Sequence, residues 1–292
     1  MLPLVGLLVG TVQFTAARPQ PHAPQCQPAA PLTRIPELPE ASGIAASRRN
    51  PRRAWAHNDS GDPLLYALND SGKVVGHLRL NGATVEDWEA ISVGGCPAGT
   101  CIYIGDIGDN EAERDHITIY RFPEPDPSAT SVAVQDVFRA KYPDGGHDAE
   151  ALLVSPKGEI FIVTKGETGP VAVYRLPEST QAGSAVTLER VGQPREGDEK
   201  STRNRITDGA FSPDGRWVVL RTTNALHFYD AADFSAGRWR ELGRTALDAL
   251  GEPQGEGVAF ADDSTLYLVS EGGGKSQPGT FARFTCTIHL RR

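Results

Sequence analysis

The sequence predicts an all-β fold, a five-bladed β-propeller of four-stranded blades in which an N-terminal strand closes the ring by joining the C-terminal blade. Three observations support this prediction: a short motif that recurs five times, a turn signal that follows it, and an apolar segment ahead of its first copy. The motif is an acidic or hydroxyl residue, a small residue and an apolar run. It recurs at intervals of 47, 61, 58 and 48 residues, about the length of one propeller blade. The five copies begin at Ser42, Glu89, Glu150, Asp208 and Glu256.

Each motif opens the first strand of a blade, and a tight turn returns the chain as the second strand. The turn signal is clearest at residues 155–158 (Ser-Pro-Lys-Gly) and 212–215 (Ser-Pro-Asp-Gly), and an apolar run follows each, as is typical of a β-hairpin. A third apolar segment follows in every repeat, and a weaker fourth follows in the first four. The third strands are predicted at 64–68, 117–122, 171–176, 225–229 and 280–288, and the fourth at 74–80, 136–142, 186–191 and 239–246.

The fifth repeat has no fourth strand of its own, and residues 32–38 are the candidate for it. They form a short segment of mixed apolar and polar residues, Leu-Thr-Arg-Ile-Pro-Glu-Leu, ahead of the first motif. Pairing them with the fifth repeat would close the ring and remove two open sheet edges, which otherwise invite aggregation. The sequence therefore predicts one propeller domain at residues 32–292.

The N-terminal residues are predicted to direct export. Residues 1–17 are apolar and end in Thr-Ala-Ala, which resembles a signal-peptide cleavage region, although a basic segment does not precede the apolar run. Residues 18–31 are rich in proline and are interpreted as a linker. We therefore expect a secreted or periplasmic protein with no stable membrane span once the signal peptide is removed.

The charge of the chain limits its partners. The formal net charge is −8 and the pI is about 5.4, whereas a protein that binds nucleic acid electrostatically needs a basic face. We expect no nucleic-acid partner, a small anionic ligand or substrate at most, and a monomer.

Four cysteines favour an oxidising compartment. Cys96 and Cys101 lie in one hairpin connection, so a local disulfide between them is geometrically easy. Of the three pairings that four cysteines allow, the one that also joins Cys26 to Cys286 explains all four positions. That second disulfide would attach the N-terminal extension to the closing blade.

The first residues of the five inner strands are predicted to converge at one mouth of the central channel. So many carboxylates in a narrow funnel would repel one another and bind protons unless a cation were present. Oxygen ligands without His or Cys favour Ca²⁺, although another divalent cation would satisfy the same charge. The alternative is a water-filled channel with partly protonated acids. The predicted metal ligands are Ser42, Glu89, Glu150, Asp208 and Glu256.

The loops around the same mouth carry further candidate residues. Three of them, Asp87, His147 and Asp148, precede inner strands and could orient water as catalytic groups. Cationic side chains from the third to fifth repeats could bind an anionic substrate such as a phosphate. These predicted substrate-binding residues are Lys165, Arg205, Arg221 and Lys275.

The ring of Ser, Glu, Glu, polar residue and Glu resembles that of the soluble calcium-activated nucleotidases (apyrases), which are five-bladed propellers with axial calcium. The resemblance implies that Ser42, Glu89, Glu150 and Glu256 are calcium-shell residues. Asp208 differs from the hydroxyl residue that the family has there, and the resemblance covers the strand starts alone. A looser similarity exists to secreted phytase-like and gluconolactonase-like propellers of six blades.

Three functions remain open from the sequence. The first is an exported, metal-dependent hydrolase of phosphate esters or anhydrides. The second is a non-catalytic binding or scaffold propeller that calcium stabilises. The third is a glycoside hydrolase that uses paired carboxylates, for which aromatic residues near the mouth are few.

Overall fold

A computed structural model describes residues 24–126, 128–167, 169–193, 204–274 and 276–287. The predicted signal peptide (1–17), part of the predicted linker and Lys275 lie outside these residues. The described residues form five sheets of four or five strands, arranged as a five-bladed propeller. The all-β, five-bladed prediction is confirmed.

Two short strands precede the first blade, and each of the first two blades contributes four antiparallel strands to its sheet. The preceding strands are β1 (Gln25–Pro28) and β2 (Thr33–Ile35). Blade 1 contains β3 (Ala41–Ala46), β4 (Arg53–Asn58), β5 (Leu64–Asn69) and β6 (Val74–Asn81), and blade 2 contains β7 (Trp88–Cys96), β8 (Gly99–Asp106), β9 (Ile117–Pro123) and, after the short β10 (Ser131–Ala133), β11 (Asp136–Lys141).

The remaining three blades repeat this order with shorter outer strands. Blade 3 contains β12 (Ala149–Val154), β13 (Ile160–Thr164), β14 (Val173–Arg175) and, after β15 (Ala185–Thr187), β16 (Glu189–Gly192). Blade 4 contains β17 (Ile206–Phe211), β18 (Trp217–Thr222), β19 (Ala225–Asp230), the short helix α1 (Ala231–Ser235) and β20 (Gly243–Ala246), and blade 5 contains β21 (Gln254–Phe260), β22 (Thr265–Glu271) and β23 (Gly279–Thr287).

The N-terminal strands close the ring, as predicted. β2 pairs with β23 in antiparallel register, Thr33 opposite Phe281, and β1 continues along the same edge with Cys26 opposite Cys286. Residues 25–28, which the sequence analysis assigned to the linker, therefore form a strand. The Cys26–Cys286 disulfide anchors it there.

The first strand of every blade lines the central axis. β3 contacts β7, β7 contacts β12, β12 contacts β17, β17 contacts β21, and β21 contacts β3, so these five strands form a closed circle. Two outer strands link neighbouring blades, because β10 pairs in parallel with β6 and β15 pairs in parallel with β11.

Apolar clusters fill the interfaces between blades rather than one central core. Among the described residues, each of five buried clusters combines side chains of two neighbouring blades. Trp88 packs between blades 1 and 2, and Trp217 packs between blades 4 and 5. Burial at these interfaces therefore fixes how the inner strands are arranged around the axis.

Both predicted disulfides are present, Cys26–Cys286 and Cys96–Cys101, and they account for all four cysteines. Such bonds persist in oxidising compartments. A search of the described residues finds no helix that is both long enough and apolar enough to span a membrane.

Candidate functional site

All five inner strands carry a β-bulge close to their first residue. The register against the second strand shifts between Trp88 and Ala90, and likewise between Ala149 and Ala151. A bulge leaves its extra residue outside the ladder and turns its side chain in a new direction, here at the channel mouth. The bulge residues are Ser42 with Gly43, Glu89, Glu150, Thr207, and Glu256 with Gly257.

The fourth member of this ring is Thr207, one residue before the predicted Asp208. In blade 4 the register shifts between Ile206 and Asp208, so Thr207 occupies the bulge. The Ser-Pro turn supplies a signal for this alignment in the sequence: it begins five residues after Glu150 and also five residues after Thr207. The ring is therefore Ser, Glu, Glu, Thr, Glu.

Hydrogen bonds of the two hydroxyl residues confirm their equivalence. The Ser42 hydroxyl donates to the Glu89 carbonyl oxygen at 2.7 Å and lies 3.0 Å from the Glu89 Oε2 atom. The Thr207 hydroxyl donates to the Glu256 carbonyl oxygen at 2.9 Å. Each hydroxyl thus holds the backbone of the acid in the next blade.

Asp208 instead connects blade 4 to blade 5. Its side chain is fully buried, and its two oxygens accept hydrogen bonds from the Gly209 and Val258 amides, both at 2.7 Å. Burial raises the pKa of Asp208 well above its usual range, although these two amides lower it. Because Asp208 lies beyond the bulge and its two oxygens bond backbone amides, it has a structural contact in place of the predicted ligand position.

The three ring carboxyl groups are buried and close enough to affect one another. Burial raises the pKa of Glu89 well above its usual range, and the charges of Glu150, Asp87 and Glu256 raise it further. Burial and the charge of Glu150 likewise raise the pKa of Glu256 well above its usual range. The predicted convergence of acids is therefore present in the structure, and a cation at this point would remove the repulsion.

Lys165 compensates part of this negative charge. Its Nζ atom lies 2.5 Å from the Glu150 Oε1 atom and 3.3 Å from the Asp148 Oδ2 atom. Burial raises the pKa of Glu150, and Lys165 lowers it, with a net rise. The predicted catalytic residue Asp148 and the predicted substrate-binding residue Lys165 thus meet beside the ring.

A polar cavity of about 370 Å³ opens next to these residues. Arg205 lines it and pairs with Glu167 at 2.6 Å. Two ring carboxyl groups also face the cavity, so it combines anionic and cationic groups. Its lining residues are Glu150, Lys165, Arg205, Thr207, Thr223, Pro253, Gln254 and Glu256.

A second layer of acids lies around the ring. Burial and the charges of Asp148 and Asp59 raise the pKa of Asp87 to about 6, and burial and the charges of Asp59 and Glu40 raise the pKa of Glu271 to about 7. A side chain at Gly108 would overlap the Asp87 carboxylate. The pKa of Asp87, which the sequence predicts to be catalytic, is therefore well above that of an ordinary aspartate.

The remaining predicted site residues lie elsewhere. His147 bonds Asp144 at 3.1 Å and the Tyr174 hydroxyl at 2.9 Å, within an aromatic cluster of blade 3. Arg221 is fully buried. It donates to the carbonyl oxygens of Gly257 and Val269, and to Glu252 at 2.6 Å, so it has interior partners in place of the predicted contact with substrate.

Away from the ring, the channel is apolar. Ile44, Ile91, Val154 and Phe211 line a small cavity there. Arg48 lines the same cavity, and its guanidinium group donates to the Phe260 carbonyl oxygen at 3.2 Å. Polar chemistry on the axis is therefore concentrated at the ring end.

The donor set of the ring fits a hard cation such as Ca²⁺, which prefers oxygen ligands. Burial disfavours the ionised forms of Glu89, Glu150 and Glu256, and Ser42 and Thr207 take the other two places in the ring. As arranged in the part of the chain that is described, no group of three or more His, Cys, Asp or Glu side chains could hold a metal ion.

Comparisons with known proteins support the fold alone. No protein-family model matches the chain, and no curated protein sequence matches it significantly. Among solved structures, the chain is similar to the PQQ-bound aldose sugar dehydrogenase of Streptomyces coelicolor, with a TM-score of 0.53 over 92% of this chain and 100% of that one. The sequence identity is 10%, so this similarity concerns the β-propeller architecture.

Proposed function

We propose that this protein is an exported β-propeller that binds a divalent cation, Ca²⁺ in the first place, at its axial ring and hydrolyses phosphate esters or anhydrides in the adjoining cavity. One observation supports the proposal above the others: three buried carboxyl groups with raised pKa values sit on equivalent bulges, and two of them line a cavity together with the cationic side chains of Lys165 and Arg205. The two disulfides are in keeping with export.

The residues divide into three roles in this proposal. Glu89, Glu150 and Glu256, with Ser42 and Thr207, would hold the cation. A divalent ion held by these residues would supply stabilisation of the negative charge on phosphoryl oxygens. The cavity residues Lys165 and Arg205 would orient the anionic substrate by charge and hydrogen bonds.

A proton acceptor for the attacking water is also available. The pKa of Asp87 is raised to about 6 by burial and by the neighbouring carboxylates, so its carboxylate is largely ionised at neutral pH and is a stronger base than an ordinary aspartate. Asp148 accepts a hydrogen bond from the Asp109 amide at 2.9 Å, and its Oδ2 atom lies 3.3 Å from the Lys165 Nζ atom. We assign Asp87 as the general base and Asp148 as a group that orients Lys165.

A non-catalytic, cation-stabilised propeller is the second candidate, and one observation favours it. The cationic groups at the cavity are already paired, Lys165 with Glu150 and Arg205 with Glu167, which leaves less positive charge for an anionic substrate. In this case the cation would stabilise the ring without any turnover.

Metal analysis of the native protein, followed by calcium titration and a phosphate-release assay, tests the proposal. We expect calcium binding by calorimetry and release of phosphate from nucleoside di- and triphosphates. Glu256→Gln should weaken calcium binding by at least about tenfold, because it removes one charged ligand. Glu178→Gln, at an exposed position outside the ring, is the matched control and should bind calcium like the unmodified protein.

The outcomes separate the two candidates. Calcium binding that raises the melting temperature without any phosphate release would support the non-catalytic propeller. Failure of the unmodified protein to bind calcium or another divalent cation would overturn the proposal itself.

A further inference from the structure

The backbone of Lys165 is fixed, whereas its side chain has several partners within reach. The residue follows β13, its amide donates to the Asp148 carbonyl oxygen at 2.9 Å, and its own carbonyl oxygen accepts from the Ile206 amide at 2.9 Å. These bonds hold Lys165 between blades 3 and 4. Any change in the position of its ammonium group must therefore come from side-chain rotation.

Three carboxylates surround the ammonium group at increasing distances. Glu150 lies 2.5 Å from Nζ, Asp148 lies 3.3 Å away, and Glu167 lies 3.9 Å away. Glu150 is a ring residue with a side chain that is 4% exposed, whereas the Glu167 side chain is 34% exposed and also binds Arg205. The partners of Lys165 thus lead from the ring toward the surface.

The ammonium group and a divalent cation would compete for Glu150. Both are positive, and like charges a few ångströms apart in a partly buried site repel strongly. Without Lys165, the buried Glu150 charge would lack its closest compensation, which is costly in the interior of a protein. Lys165 therefore occupies the electrostatic position that a cation would take.

The cavity beside the ring offers the ammonium group a second location. Lys165 and Arg205 both line it, and Thr207, Thr223 and Gln254 add polar groups. The Arg205 guanidinium group lies 2.6 Å from the Glu167 carboxylate. An ammonium group that turned from Glu150 toward Glu167 would therefore come close to Arg205. Two adjacent cations with hydroxyl donors form a site suited to phosphate.

We propose that Lys165 is an exchangeable counter-ion: it neutralises Glu150 until a divalent cation binds the ring, and the cation then displaces it into the cavity, where it completes a site for a phosphate-class anion. This proposal rests on the proposed cation site. It makes the binding of cation and anion mutually favourable, since each ligand stabilises the same position of Lys165.

Calorimetric titration of the Lys165→Met variant tests this exchange. The probes are CaCl₂ and inorganic phosphate, with phosphate kept below the concentration at which calcium phosphate precipitates. Calcium should bind the variant about tenfold more tightly than the unmodified protein, because the competing charge is gone. Phosphate should bind it more weakly in the presence of calcium. A purely structural role for Lys165 would weaken both ligands instead.

Arg205→Met is the matched control, because Arg205 lines the same cavity and pairs with Glu167 rather than with Glu150. It should weaken phosphate binding and leave calcium affinity within about twofold, since its charge is farther from the ring and screened. Calcium should still strengthen phosphate binding in this variant. That contrast distinguishes the exchange from a general effect of positive charge.

A measurement on the unmodified protein keeps the test decisive if Lys165→Met does not fold. Acetic anhydride labelling, read by peptide mass spectrometry, should modify Lys165 more readily after CaCl₂ is added, because the ammonium group leaves its ion pair with Glu150. Two results would overturn this proposal alone. One is calcium binding to the unmodified protein with no change in the labelling of Lys165, and the other is a calcium affinity of Lys165→Met that equals or falls below that of the unmodified protein. Absence of calcium binding would overturn the proposed function together with it.

Discussion

Two basic residues occupy the same place, opposite or next to the bulge, in blades 1 and 4. His57 precedes Asn58, which pairs with Ala41, and Arg221 pairs with Asp208 just beyond the bulge of blade 4. Both blades carry a hydroxyl residue in the ring. The three blades with a ring glutamate have Gly105, Val163 and Val269 at the equivalent position.

Arg221 reaches the residue that follows the acid of the next blade, because it donates to the Gly257 carbonyl oxygen at 2.7 Å. The His57 Nδ1 atom instead lies 3.0 Å from the carbonyl oxygen of the adjacent Asn58. Burial lowers the pKa of His57 to about 4, against the raising effect of the Asn58 and Ala90 backbone, so the imidazole is neutral at pH 7. Arg221 is therefore a positioning residue for Glu256.

Replacement of Arg221 should be strongly destabilising. Arg221→Met leaves the buried Glu252 carboxylate without its partner, and such a change costs about 3–5 kcal/mol. Urea unfolding measures the loss, and the double variant Arg221→Met/Glu252→Gln should recover part of it. Arg175→Met, which removes an exposed pair with Glu189, is the control and should cost at most about 1 kcal/mol. Equal stability of the two single variants would contradict this assignment.

At the scale of the strand, the bulge and the small residue after it act together: the bulge turns a side chain toward the channel mouth, and the small residue lets the neighbouring inner strand approach closely. A Cβ atom at Gly257 would lie 2.8 Å from the Ile44 nitrogen and the Ser42 carbonyl oxygen of the neighbouring inner strand. At Gly43 it would lie 2.8 Å from the Ile91 nitrogen. The small residue of the motif is thus required where the backbones of adjacent inner strands come into contact.

Gly257→Ala should therefore push β21 away from β3. We expect a loss of about 1–3 kcal/mol in the free energy of unfolding, the usual cost of overpacking, together with weaker calcium binding. Gly76→Ala is the matched control, since its nearest new contact would be the Ala67 Cβ atom at an ordinary 3.8 Å. It should change stability by no more than about 0.5 kcal/mol. A neutral Gly257→Ala variant would show that the inner strands tolerate separation.

At the scale of the whole molecule, ring closure and axial charge oppose each other. The Cys26–Cys286 disulfide spans 260 residues, and a bond that closes so long a loop restricts the unfolded chain strongly. The axial acids work against the folded state, because burial raises the pKa of Glu89, Glu256 and Glu271. A divalent cation would remove this cost.

The stability of the protein should consequently fall as pH rises when a chelator is present. The folded state holds protons on Asp87 and Glu271 that the unfolded state releases near pH 4, so stability is lost between about pH 4 and the folded pKa values of about 6 and 7. Melting temperatures from pH 5 to 8 measure this slope. Calcium should reduce it, and Glu271→Gln should remove part of it without calcium. A melting temperature in chelator that stays level or rises over this range would contradict the effect of the buried acids.

The sequence correctly predicts the five blades, the closing strand, both disulfides and the placement of the three ring glutamates. These features are encoded locally, since motif spacing, turn residues and cysteine positions can be counted along the chain. The alignment of blade 4 was one residue in error, because Asp208-Gly209 imitates the motif while the bulge lies at Thr207. The spacing to the Ser-Pro turn could have shown it.

Tertiary structure alone decided which charges meet. Arg221 and Lys165 both lie at or just beyond the end of a second strand, yet Arg221 is buried against blade 5 and Lys165 contacts Glu150 and Asp148 beside the cavity. The direction of a side chain at a strand end depends on the bulge opposite it and on the neighbouring blade. The spacing to the turn can indicate the bulge, but the contacts with the neighbouring blade arise only when strands far apart in the chain pack around the axis.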